Sequence, residues 1–203
     1  MLRLARKLLP LGLLMVIALP SAAQAATVNI SVDNFMFTPK SATVQQGSTA
    51  LWTNVNATTN HTTTSDTTMP ISWDSGTLTP SATFQFTYTM AGGYSYHCTF
   101  HQSLGMVGTI GVPVKAAPSS GPAGTQFRIT MATANPTGTL VFDVQKKDPG
   151  GVFQNWMLGV TTKSVVFNST GQPTGTYQFR ALLRDTASGK KSKFSPAASI
   201  TVT

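Results

Sequence analysis

The sequence predicts an all-β chain built as two β-sandwich domains. Three observations lead there. Apolar residues alternate with Thr, Ser, Asn and Gln at the two-residue period of half-buried strands. Beyond the first 25 residues no stretch keeps the 3.6-residue period of an amphipathic helix. A 203-residue chain with a 25-residue leader also has length enough for two domains, and residues that break regular structure fill Pro113 to Gly124.

Residues 1–25 read as a secretory signal peptide. Arg3, Arg6 and Lys7 precede the apolar run Leu8 to Leu19, and Ala23-Gln24-Ala25 offers a small-x-small cleavage site. That run is shorter than the about 20 residues a membrane span requires, and no later stretch approaches this length. The mature chain is therefore expected to be exported, to the periplasm or the medium, without a membrane span.

Residues 26–113 form the first predicted domain. Val28, Ile30 and Val32 share one strand face, as do Phe84, Phe86 and Tyr88. Gly92-Gly93 reads as a turn, after which Tyr94, Tyr96 and Cys98 fall on one side of a strand and Ser95 and His97 on the other. Met106, Gly108, Ile110 and Val112 continue the alternation in the last strand. Lys40 against Asp33, Asp66 and Asp74 gives this half a charge of −2, whereas residues 114–203 set ten Lys or Arg against Asp143, Asp148 and Asp185, giving +7.

The segment Cys98 to Met106 gathers a thiol, an imidazole and a thioether at the spacing C-x2-H-x4-M. Such soft sulfur donors beside imidazole suit copper, and a His2Cys plane with a weak axial Met is an electron-transfer geometry. His61 supplies the further imidazole. Elimination agrees, because one cysteine and three histidines (His61, His97, His101) cannot build a dithiolate copper centre, a covalent haem site or a four-ligand zinc finger. A lone cysteine in an exported chain has no disulfide partner and needs another role. The strand alternation turns His97 away from Cys98, so it is not counted as a ligand. Met69 and Met90 lie outside the loop and read as packing residues. Zinc remains chemically admissible at the same donors.

Asp33-Asn34-Phe35 to Pro39, Trp52-Thr53-Asn54 before His61, Trp73-Asp74-Ser75-Gly76 and Gly93-Tyr94-Ser95-Tyr96-His97-Cys98 to Met106-Val107-Gly108 together resemble the plastocyanin branch of the cupredoxins. The resemblance spans residues 27–113. It implies an antiparallel Greek-key sandwich holding one type 1 copper per chain, with His61, Cys98 and His101 equatorial and Met106 axial. It also implies an electron exit at His101, with Phe100 and Leu104 as apolar docking surface, and a second route at His97. Thr62 stands where many relatives carry Asn and is a candidate hydrogen-bonding neighbour of the site.

Residues 114–203 carry about seven strand-like runs separated by turns, near Val114 and at 125–131, 139–146, 152–158, 164–167, 176–184 and 198–202. Thr176 to Ala181 and Ser192 to Pro196 resemble the last strands of a fibronectin type III module, Tyr177 standing at the tyrosine corner; Phe127, Ile129 and Met131 replace its usual tryptophan, so a generic immunoglobulin-like sandwich stays open. Tyr177, Phe179, Ala181 and Leu183 are predicted to face inward. Arg180 and Arg184, outward beside Lys190-Lys191-Ser192-Lys193, predict a basic patch that docks an acidic redox partner or an anionic surface. Nucleic acid is not an expected target. Asn56, Asn60 and Asn168 head glycan-acceptor tripeptides, read as accidental in a Thr-rich chain. The whole reads as a non-enzymatic electron carrier between protein donor and acceptor. The alternatives are a protein that sequesters or delivers copper, and an adhesive β module with an incidental metal site.

Overall fold

The computed structural model describes residues 25–203, and the predicted leader falls, but for residue 25, outside them. The N-terminal sandwich contains β1 (Thr27–Asp33), β2 (Met36–Thr38), β3 (Ser41–Thr43), β4 (Ser48–Asn54), β5 (Thr64–Ser65), β6 (Thr83–Tyr88), β7 (Gly92–His97) and β8 (Val107–Val112). Its two sheets run β2-β1-β4-β6 and β3-β8-β7-β5. Pairing is mixed and not wholly antiparallel as the resemblance implied: β1 lies parallel to β4 and β3 parallel to β8. Alternation in β4 buries Ala50, Trp52 and Asn54 inward, where they meet Ile30 and Val32 from β1 and Tyr94, Tyr96 and Ile110 from the facing sheet. The aromatic core is dense. Tyr96 packs at 4.6 Å from Phe37 and 5.5 Å from Trp52 between ring centroids, and Trp73 stands 5.6 Å from Tyr88.

The C-terminal sandwich contains β9 (Lys115–Ala117), β10 (Ser120–Gly121), β11 (Gln126–Thr130), β12 (Leu140–Lys147), β13 (Phe153–Val160), β14 (Ser164–Asn168), β15 (Gly175–Asp185) and β16 (Ala198–Val202). A three-stranded sheet β14-β11-β9 faces a five-stranded sheet β10-β16-β15-β12-β13. Tyr177, Phe179, Ala181 and Leu183 are all fully buried, as the period of β15 requires. Tyr177 Oη donates to the Pro173 carbonyl at 2.7 Å. Among the described residues no helix is long and apolar enough to cross a membrane.

Two features lie between the sandwiches. The breaker-rich stretch after Pro113 contains two short strands, and Val114, 2% exposed, belongs to the C-terminal core. Gly92 and Gly93 begin β7 instead of forming a turn. Gly93 exchanges backbone hydrogen bonds of 2.8 Å with Lys193, and a Cβ at Gly93 would lie 3.0 Å from the Lys193 Cβ. Absence of side chains here lets the second sandwich approach the strand that leads to Cys98. Ala91 packs into the C-terminal core, and buried Gln46 donates to the carbonyls of Pro113 and Thr130 at 2.8 and 2.9 Å. A continuous polar and apolar contact therefore joins the sandwiches.

Arg180 and Arg184 are engaged by neighbours and are not the free surface cations expected. The Arg180 guanidinium lies between the rings of Phe153 and Phe194, at 4.0 and 4.4 Å, and donates twice to Gln145 Oε1. Arg184 grips Asp143 through Nε and Nη2 at 2.7 and 2.9 Å. This fork, with help from the Gly159 N–H, holds the Asp143 carboxyl below its ordinary pKa against the opposing effect of burial. The carboxylate's contribution is complete above the ordinary aspartate value and is lost as pH falls through the lowered native value. Asp143→Asn is expected to cost about 1–2 kcal/mol near neutrality. In urea melts across pH, the gap between wild type and variant should close only in strong acid.

Candidate metal centre

The site draws on two distant segments. Asn54, buried at the end of β4, donates to the carbonyls of Thr59 and Leu78 at 2.9 and 2.8 Å, fastening the loop that delivers His61. His61 itself exchanges backbone hydrogen bonds with Leu78 at 3.1 and 2.7 Å and is fully buried. The second segment leaves β7 at His97 and returns at β8. A 3-10 turn over Gln102–Leu104 compacts it, and Met106 closes it by donating to the His101 carbonyl at 3.2 Å while its own carbonyl accepts from the Cys98 N–H at 3.1 Å.

These constraints bring Cys98 Sγ to 3.4 Å from His101 Nδ1 and 3.9 Å from His61 Nδ1. One donor atom from each of His61, Cys98 and His101 lies within 4.8 Å of the others. The sulfur accepts the Thr62 N–H at 3.3 Å, and Thr62 Oγ1 accepts the Thr99 N–H at 2.8 Å. Thr62 thus ties the His61 segment to the Cys98 loop by backbone and side chain at once. Such contacts to a ligand sulfur tune a metal's potential. Burial, then the neighbouring His101, push the His61 pKa down, with Asp33 opposing. Neutral imidazole, the form that donates to a metal, is thereby favoured at His61.

Met106 is fully buried in the same apolar cluster as Cys98. Met69 packs in that cluster too, and Met90 packs against the C-terminal core. His97 points away from the sulfur, as the alternation predicted, and toward Asp66. Its side chain is 12% exposed and its Nδ1 lies 2.7 Å from Asp66 Oδ1. No local spacing links Asp66 to His97, so the sequence held no signal for this pair.

Phe35 was missed as well. Asn34 and Phe35 form the two-residue turn between β1 and β2, both at positive φ (46° and 59°). Asn and Gly suit such turns, whereas a bulky side chain there is strained. The ring is set edge-on to His101 at 4.7 Å and to His61 at 6.3 Å. Phe35→Gly should relieve the backbone while uncovering the imidazoles. Metal-free stability is expected to change by under about 1 kcal/mol, while diethyl pyrocarbonate modifies His101 several-fold faster.

A buried thiol facing two imidazole nitrogens on a preformed scaffold is a donor set that fits copper. Residues 24–113 match the plastocyanin/azurin family of copper-binding proteins. In this segment His61, Cys98 and His101 are arranged as a copper site, and copper is the cofactor they serve. Among solved structures, the chain is similar to a copper-containing nitrite reductase (NirK) from Thermus scotoductus SA-01, at 22% identity and TM-score 0.41, over 47% of this chain and 24% of that one. A purple cupredoxin from Nitrosopumilus maritimus is 25% identical, with TM-score 0.37, over 43% of this chain and 98% of that one. A mutant plastocyanin of fern is 27% identical, with TM-score 0.37, over 42% and 99% respectively. The match thus spans about a quarter of the reductase and nearly all of the two small copper proteins.

Proposed function

We propose that the chain is an exported mononuclear type 1 copper protein that carries single electrons between a protein donor and a protein acceptor. His61, Cys98 and His101 would hold the copper, with Met106 as a fourth donor. The observation that carries this reading is the convergence of Nδ1, Sγ and Nδ1 from two remote segments, with the sulfur held by the Thr62 N–H. Bound copper supplies a one-electron couple. The chain's own work is to keep the donors in one arrangement, exclude water from the sulfur and present His101 near the surface. A bidentate tie between the two segments through Thr62 and Thr99 restrains the site against rearrangement. His97 is engaged by Asp66, and we read catalysis as the partners' task.

The surface around His101 suits transient docking. Phe100 is 52% and Leu104 64% exposed, and the rings of Phe35 and Phe100 lie against His101. Leu104→Glu should slow electron exchange with a protein partner about tenfold while leaving the potential unchanged. The same exchange rate in variant and wild type removes this port.

Residues 26–113 form the copper domain in this proposal, and 114–203 a fibronectin type III-like module for docking or attachment. The three-on-five sheet order and the Tyr177–Pro173 hydrogen bond support the second assignment. With Arg180 and Arg184 engaged, Lys190, Lys191 and Lys193 supply the free cations of the patch beside them. They line a cleft of about 790 Å³ shared with Thr67, Thr68 and Met69 of the copper domain, a place for an acidic partner to rest. An optical spectrum of the copper-loaded, oxidised protein tests the central reading. An intense blue thiolate-to-copper band, bleached reversibly by reductant, is expected; a spectrum without it overturns the assignment.

A further inference from the structure

A second cleft, of about 570 Å³, is lined by cations without any carboxylate among the described residues. Lys115 on β9 and Arg128 on β11 lie on the outer face of the three-stranded sheet, and Lys163 precedes β14 at its edge. Register sets Thr130 opposite both Lys115 and Ser164, so these side chains share that face with Arg128. Gln46 from the copper domain forms one wall, its amide fixed by the Pro113 and Thr130 carbonyls.

Nothing in the module offsets these three charges. Asp143 is taken by Arg184, Asp148 by Lys146 at 2.6 Å, and Asp185 accepts from Ser188 in its own turn at 2.6 Å. Arg128 Nη1 donates to Ser164 Oγ at 3.1 Å, which orients the guanidinium along the sheet and leaves its other donors free. Lys115 Nζ reaches the Gln46 carbonyl at 3.5 Å, at the opposite wall of the same cleft. Gathering like charges in a concavity is unfavourable until an anion enters, and it concentrates anions there.

We propose that this cleft binds a compact phosphoryl oligoanion. Three cations call for more than one negative charge, and a planar guanidinium fork matches paired phosphoryl oxygens. The volume is that of a small-molecule site. A concave floor between two sandwiches suits a soluble ligand better than a membrane plane. Its residues are separate from the copper donors and from the Lys190–Lys193 loop.

Calorimetric titration of the full chain with inorganic tripolyphosphate at low salt tests the site. Saturable one-to-one binding is expected, weakened about tenfold by Arg128→Gln and similarly by Lys115→Gln combined with Lys163→Gln. Lys190→Gln combined with Lys191→Gln should leave it unchanged. Circular dichroism checks the fold of each variant, and Arg128→Lys, which keeps charge but not the fork, provides a gentler substitution that should also bind more weakly. The proposal is overturned by the absence of saturable heat, by equal weakening in the Lys190/Lys191 variant, or by binding to phosphatidylglycerol vesicles without binding to tripolyphosphate.

Discussion

Cys98→Ser is expected to abolish the intense visible absorption of the copper-loaded protein, because that band requires a thiolate bound to the metal. Affinity for copper should fall by more than the roughly 10–100-fold typical of losing an outer-shell partner, since a donor is removed outright. The fold should survive. Serine is close to cysteine in size, and its Oγ can accept the Thr62 N–H that now reaches Sγ. Burial of the more strongly hydrated hydroxyl is expected to cost about 1–2 kcal/mol in the metal-free protein. Copper titration followed by absorption, beside urea melts of the metal-free forms, separates the two effects. Persistence of the band in the serine variant sinks the proposed ligand set, whereas loss of fold without copper would show that Cys98 serves chiefly in packing.

What the sequence disclosed was local or periodic. Alternation gave the inward faces of β1 and β15, and the C-x2-H-x4-M spacing marked a loop that the structure closes through the Cys98–Met106 backbone hydrogen bond. His61 was reachable by elimination, because few imidazoles were available. Other parts depend on contacts between distant residues and leave no short-range pattern. Asp66 meets His97 across 31 positions, and Phe35 meets His101 through a turn whose sequence resembles an ordinary polar loop. Gly92-Gly93 was misread for the same reason: the pair looks like a turn until the approach of Lys193 explains it. The charge of Arg180 and Arg184 was visible, but the neighbours that engage them come from β12, β13 and the segment after the lysine loop.

Gly108→Ala is expected to damage fold and metal centre together. Gly108 pairs with Tyr96 across β7 and β8, and a Cβ there would fall 2.6 Å from the Tyr96 Cε1, inside van der Waals contact. A flexible surface side chain would swing aside. Tyr96 has no such freedom, because Phe37, Trp52 and Trp73 surround its ring and it is almost fully buried. The added methyl must therefore either part β7 from β8 or push the ring into the aromatic core, at a cost of about 1–3 kcal/mol or more. Valine should cost more than alanine. Both displacements act on β7 two residues before Cys98, so copper uptake should weaken in a variant that still folds. Unfolding curves and copper titration of the same preparation measure the two effects. Should Gly108→Ala match wild type in stability, the ring of Tyr96 is not pinned as described; should stability fall while copper binding stays intact, the strand does not transmit its strain to the sulfur.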